Sequence, residues 1–264
     1  MDKPYQATPD VAVLPASFPV PGVGFLTINA FVIKAEEPVL IDTGMGIAGE
    51  EFMKALESVI DPPDLKWIWL THDDADHTGN IQRILEAAPG ARLAVNSLAA
   101  LRMSTAWPVP MDRVYWLNPG DSITPGDRKL SAFRPPLFDN PTTIGIYDNK
   151  SEIFFSADCF GALIPSAAQN IDEIPEGDLS QGMLSWASGD NPWVHMVDRK
   201  AFNQVLDTLR RLAPRMILSA HLPPAKGKNE QLLQLLAGVP SSSPFIAPNQ
   251  AVLDQILAEM KGRI

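Results

Sequence analysis

The stretch Thr71-His72-Asp73-Asp74-Ala75-Asp76-His77-Thr78-Gly79-Asn80 gathers two of the chain's four histidines and three aspartates within six residues, directly after the apolar run Trp67-Ile68-Trp69-Leu70. Imidazole and carboxylate groups set against a buried strand end are costly unless a partner satisfies them, and a cation suits this mixture of nitrogen and oxygen donors. Side chains alternate along a strand, so an extended exit puts His72, Asp74 and Asp76 on one side and turns Asp73 away. A turn into a helix near Gly79 then swings His77 in beside them. Thr78 or Asp76 can cap that helix while the other side chains face an ion.

The segment resembles the metal-binding motif His-x-His-x-Asp-His of the metallo-β-lactamase superfamily, with Asp74 where hydrolases usually carry the second histidine. A carboxylate at that position is similar to the flavodiiron proteins and their stand-alone oxygen-binding relatives, which normally have Glu there. Two ions need more donors than this cluster holds, so others are expected at further strand ends. The resemblance implies a donor within Pro136-Leu137-Phe138-Asp139-Asn140-Pro141-Thr142, where the family usually has His and this chain offers Asp139. Asp, Asn and Pro are also ordinary turn residues, so a plain turn stays open there.

Phe154-Phe155-Ser156-Ala157-Asp158-Cys159-Phe160-Gly161 resembles the family segment whose carboxylate bridges both metals, a role needing two oxygens on one side chain. Leu218-Ser219-Ala220-His221 ends a strand on the third motif histidine, although Leu222 stands where the family usually has Gly. The intervals from His77 to Asp139, Asp158 and His221 are 62, 19 and 63 positions and resemble the flavodiiron pattern. The resemblance also implies that Asp42 orients a ligand from behind. His195 matches no motif position and lines the pocket or sits on the surface. Trp186 and Trp193 are expected to pack loops.

These residues need strands to deliver them. Phe25–Ile33 and Pro38–Asp42 read as paired strands, and Phe52, Met53, Leu56, Val59 and Ile60 recur at helical spacing from Glu50 until Pro62-Pro63. After the motif, Ile81, Ile84 and Leu85 mark a helix. Strands are expected at Ala91–Val95, Val114–Leu117, Leu130–Phe133, Thr143–Tyr147, Ile153–Ser156 and Met216–Ser219. A helix from Asp198 to Leu212 is capped by Asp198, and a last amphipathic helix carries Val252, Ile256, Leu257 and Met260. The fold class is α/β. The family form is a four-layer αβ/βα sandwich, taken as one domain over residues 1–264.

A formal net charge of −10 disfavours nucleic-acid and anionic-membrane binding. No apolar run reaches the roughly 18 residues of a membrane span. The prolines at 15, 19 and 21 argue against a secretory signal, and the lone Cys159 suits the cytoplasm.

In the implied arrangement His72, Asp74, Asp139 and Asp158 hold one ion, and Asp76, His77, His221 and Asp158 the other. Three imidazoles against four carboxylates favour iron or manganese over zinc, which remains an alternative. The expected function is binding or reducing O2 or NO at a di-iron site. No flavin is expected on this chain, so electrons come from a separate flavoprotein or rubredoxin. A metal-dependent hydrolase of an ester, thioester, lactam or phosphodiester is the alternative, and a non-catalytic metal-binding sensor the third reading. A homodimer is left open.

Overall fold

The computed structural model describes residues 1–21 and 24–261, without the side chains of Met260 and Lys261. Its first sheet runs in chain order through β1 (Tyr5–Thr8), β2 (Val11–Val20), β3 (Gly24–Ile33), β4 (Val39–Ile41), β5 (Trp67–Trp69), β6 (Arg92–Val95) and β7 (Val114–Trp116). The expected pair β3 and β4 is antiparallel. From β4 to β7 the strands are parallel, because α1 (Gly49–Glu57), α2 (Ala75–Thr78), α3 (Ile81–Ala87) and α4 (Ser97–Met103) fill the crossovers.

The second sheet contains β8 (Ser122–Ile123), β9 (Leu130–Phe133), β10 (Gly145–Asp148) and β11 (Ile153–Phe155). The chain then crosses to the first sheet, where β12 (Leu163–Ile164) pairs with β3. It returns as β13 (Met216–Leu218), parallel to β11, and β14 (Ala225–Lys226). Between β12 and β13 lie α5 (Glu176–Asp190) and α6 (Arg199–Leu212), and α7 (Asn229–Gly238) and α8 (Gln250–Lys261) follow β14.

Three apolar clusters define four layers. Phe31, Trp69, Ile146, Phe155 and Leu218 pack between the sheets. Phe52 and Leu56 of α1 and Ile84 and Leu85 of α3 cover the outer face of the first sheet. Leu179 and Met183 of α5, Phe202 and Leu206 of α6 and Leu233 of α7 cover the second. Both faces of β5 are therefore dry: Trp69 enters the inter-sheet core and Ile68 the helical side. That is why its sequence is apolar without alternation, and each such burial contributes roughly 1.5–3 kcal/mol. The layers form the αβ/βα sandwich.

Several elements differ from the sequence reading. Val11–Val20, which its prolines make look broken, is a ten-residue strand paired with β3 throughout. Pro15 and Pro19 are tolerated because β1 pairs only with residues 11–13, leaving the prolines on an edge that needs no ladder donor. Helix α1 ends at Glu57, so Val59 and Ile60 lie beyond it. The strand expected at Thr143–Tyr147 is shifted to Gly145–Asp148.

Helix α5, absent from the sequence reading, carries three glycines that dilute its periodicity. At Gly182 a Cβ would lie 2.2 Å from the Leu163 carbonyl oxygen, so only glycine lets α5 approach β12 this closely. On α8, Val252 and Leu257 are exposed, so its apolar stripe meets no core; the side chain of Met260 lies outside the described residues. Among the described residues no helix is long and apolar enough to cross a membrane.

Candidate metal centre

The site forms where parallel strands end. Asp42 follows β4, Thr71 and His72 follow β5, Asp158 follows β11 and His221 follows β13. His72 leaves β5 in extended chain and Asp74 lies on its side, with 3.7 Å between His72 Nε2 and Asp74 Oδ2. Asp73 turns away, to Arg102 Nε at 3.0 Å and the Thr142 hydroxyl at 2.9 Å. Strand alternation stops there, because Ala75–Thr78 is already helical. Asp76 and His77 arrive on that turn instead, 3.5 Å apart. Neither Asp76 nor Thr78 caps it; the cap position is Asp74, with no side-chain bond, and Thr78 donates to the Asp74 carbonyl.

Each histidine is fixed through its Nδ1. The His221 Nδ1 lies 2.8 Å from the Thr27 carbonyl oxygen, which can only accept, so Nδ1 carries the proton. The His77 Nδ1 lies 2.9 Å from Asp42 Oδ2. The Thr71 hydroxyl donates to Asp42 Oδ2 at 2.9 Å and therefore accepts from His72 Nδ1 at 3.0 Å. Three Nε2 atoms are left to converge, the tautomer a metal ligand requires.

They converge on Asp158. Its Oδ2 is 3.3 Å from His72 Nε2, and its Oδ1 is 3.0 Å from His77 Nε2 and 3.2 Å from His221 Nε2. These are close approaches without hydrogen-bond alignment: His72 Nε2, His77 Nε2 and Asp158 Oδ1 are buried with no partner. Buried lone pairs that face one another without a proton donor are what a cation would satisfy. Donor atoms of His72, Asp74 and Asp139 lie within 4.8 Å of one another, as do those of Asp76, His77 and His221. All seven residues named from the sequence thus meet in two groups sharing Asp158, and Asp139 is among them.

The electrostatics are those of an anion-rich cluster. Burial alone would lower all three histidine pKa values, but Asp158 outweighs it and raises them, His77 well above the ordinary value with help from Asp42. Burial would raise Asp158, and the three imidazoles instead hold it well below the usual carboxylate range. Asp139 is pushed up to about 6, by burial first and then, against the His72 imidazole, by the Asp158 charge. Burial pushes the Cys159 thiol up to about 12, so the neighbouring sulfur is no thiolate donor.

The backbone around the centre is strained. Asp42 and Ala157 have φ of 57° and 52°, a left-handed conformation costly for side chains with Cβ and characteristic of functional turns. At Gly161 a Cβ would sit 2.5 Å from Trp186 Nε1 and 2.8 Å from His221 Cβ, so the wall of the site closes over a glycine.

Three residues of this wall are invisible to motif reasoning. Trp186, expected to pack a loop, lies on α5; its indole N–H donates to the Asp158 carbonyl at 3.2 Å and its ring lies 4.6 Å from His221. Asn29 donates to the carbonyls of Ser219 and Leu222 and so clamps the His221 turn to β3. Asn140 donates to Asp74 Oδ1 at 2.9 Å. Trp193 packs on Phe138 and donates to its carbonyl, steadying the Asp139 loop. His195 is outside the centre, with Nε2 2.7 Å from the Ser188 hydroxyl.

Residues 26–221 match the model of a family described as ODP family beta lactamase. The chain is 24% identical over 173 residues to a rubredoxin-oxygen oxidoreductase of Megalodesulfovibrio gigas, covering 63% of this chain and 42% of that protein. It is 23% identical over 198 residues to a nitric oxide reductase of Moorella thermoacetica, covering 74% and 48%. The crystal structure of rubredoxin oxygen:oxidoreductase from Desulfovibrio gigas superposes with a TM-score of 0.79 at 19% identity, over 92% of this chain and 62% of that one. The matched region is less than half the length of either curated relative.

Proposed function

Because the chain belongs to the ODP family of beta lactamases, we propose that its seven converging side chains hold two iron ions and that the centre binds or reduces O2 or NO. The observation that carries this reading is the split of Asp158, whose Oδ2 faces His72 while its Oδ1 faces His77 and His221. His72, Asp74 and Asp139 hold one ion and Asp76, His77 and His221 the other. The relatives named for oxygen and nitric oxide reduction support the substrate class.

Iron bound at such a pair of positions supplies open coordination sites and redox electrons to a small diatomic ligand. The chain's own residues orient and shield. Asp42, Thr71 and the Thr27 carbonyl keep the three Nδ1 protons occupied, so each Nε2 points inward. Trp186 covers His221 and keeps bulk water from that side. Four carboxylates among seven ligands favour iron or manganese over the imidazole-rich environment that zinc prefers. A separate rubredoxin or flavoprotein is the electron donor in this reading, in keeping with the name of the relative from Megalodesulfovibrio gigas.

Metal analysis of protein from iron-supplemented cells, with optical spectra recorded before and after O2, tests the proposal. Two irons per chain and an oxygen-sensitive absorption are expected. Stoichiometric zinc with no such absorption, together with thioester or phosphodiester hydrolysis lost in Asp158→Ala, would replace this reading with the hydrolase.

A further inference from the structure

Asp190, the last residue of α5, belongs to none of the motifs, yet one of its carboxylate oxygens lies within 4.8 Å of donor atoms of both Asp139 and Asp158. It sits four residues after Trp186 and therefore on the same helix face, the face that the Trp186 bond to Asp158 turns toward the centre. Its direct protein partner is the neutral Asn191 amide, at 2.9 Å from Oδ2. The negative end of a 15-residue helix with no basic residue in its last turn is a poor place for a carboxylate. Three carboxylates this close repel one another when ionised, and a cation between them relieves that repulsion. Two further atoms point to that cation: His72 Nε2, on a fully buried side chain facing Asp158 Oδ2, and Asp139 Oδ1 are both shielded from water without a hydrogen-bond partner.

We propose that Asp190 is an additional metal ligand on the His72 side of Asp158, making that position a one-imidazole, carboxylate-dominated site that selects a hard ion such as Mn2+ or iron over zinc. This rests on the dinuclear reading above. The two positions then differ in kind. His72 is the one nitrogen donor among Asp74, Asp139, Asp158 and Asp190, whereas His77 and His221 give the other ion two imidazoles beside Asp76 and Asp158. Hard oxygen donors suit Mn2+ and imidazole suits zinc, so one chain sorts two metals between its positions.

The test is titration of the chelator-stripped full chain with Mn2+ and, separately, Zn2+, followed by calorimetry and by the Mn2+ electron paramagnetic resonance signal. Asp190→Asn, close to isosteric, is expected to weaken Mn2+ at one of two sites at least about tenfold and to leave the tighter Zn2+ site within about twofold. Unchanged Mn2+ binding overturns the assignment. Equal loss of both metals with a lowered melting temperature also overturns it, because that pattern belongs to packing. Asp158→Asn separates the two readings: if it abolishes paired binding while Asp190→Asn does nothing, Asp190 alone is dismissed. If Asp158→Asn leaves both ions bound, the dinuclear reading falls and the Asp190 assignment with it.

Discussion

His77 presents Nδ1 to Asp42 Oδ2 at 2.9 Å, and this contact decides which nitrogen of the ring is left to face Asp158. Asp42 also accepts from the Thr71 backbone N–H at 2.8 Å and from the Thr71 hydroxyl. One carboxylate therefore orients two of the three histidines, directly for His77 and through Thr71 for His72. Asp42→Ala is expected to weaken metal binding about 10- to 100-fold while leaving all seven proposed ligands in place. Competition against a chromophoric chelator measures it.

Asp158 lies 3.0–3.3 Å from the Nε2 atoms of three buried imidazoles. Asp158→Ala removes the carboxylate and leaves them unpaired in a dry environment. We expect loss of the order of 2–3 kcal/mol at pH 6, read by urea denaturation of the chelator-treated protein, together with loss of both ions.

Metal-free stability should fall as pH rises. Asp139 and Asp190 are raised to about 6 and about 7, the latter by burial and then by Asp158 and Asp139, so their contribution is complete below pH 4 and is lost as pH climbs through those values. The histidines, raised above 6.5, add a loss that begins near that pH and continues above it. Asp158 acts in the opposite sense, but its pKa lies far below this window and contributes no slope within it. The melting temperature of chelated protein is expected to decline from pH 5 to pH 8. Metal affinity should rise over the same range, because ligands must release protons to bind.

Asn140 ties the motif to the Asp139 loop: it donates to Asp73 and Asp74 and accepts from Arg102 and from the Thr142 backbone N–H. Asn140→Ala should cost about 1–3 kcal/mol of stability. It should also weaken the ion on the Asp74 side selectively, which two-site calorimetry resolves. Arg102→Ala should cost much less, since its guanidinium reaches solvent and its ion pair with Asp73 is only partly shielded.

Gly161→Ala places a methyl group against Trp186 and His221. Displacing either side chain should destabilise the fold by about 1–3 kcal/mol and alter the indole fluorescence spectrum.

The gathering of His72, Asp74, Asp76 and His77 was legible in the sequence because neighbouring residues leaving one strand end cannot be far apart, whatever the fold. The β5 strand itself was legible because burial on both faces removes alternation. Resemblance to a known family indicated Asp158 and His221 by type and interval, and Asp139 by interval alone, because the family usually has His there. The β2 strand was not legible, because its prolines are permitted only by an unpaired edge, and that edge is a tertiary fact. Helix α5 was hidden for a related reason: Gly182 serves the close approach to β12 at the expense of local helical propensity.

The sequence by itself thus determined which donors exist and that strand ends present them. The tertiary structure alone decided the rest. Which nitrogen of each ring faces inward depends on Thr71 beside His72, on Asp42 at the end of the neighbouring strand, and on the Thr27 carbonyl, which meets His221 from the other sheet. The approach of Trp186 and Asp190 depends on α5 packing over β12 and carries no motif. Donor chemistry is a property of residue type, whereas donor direction and mutual distance arise only when elements far apart in the chain are packed together.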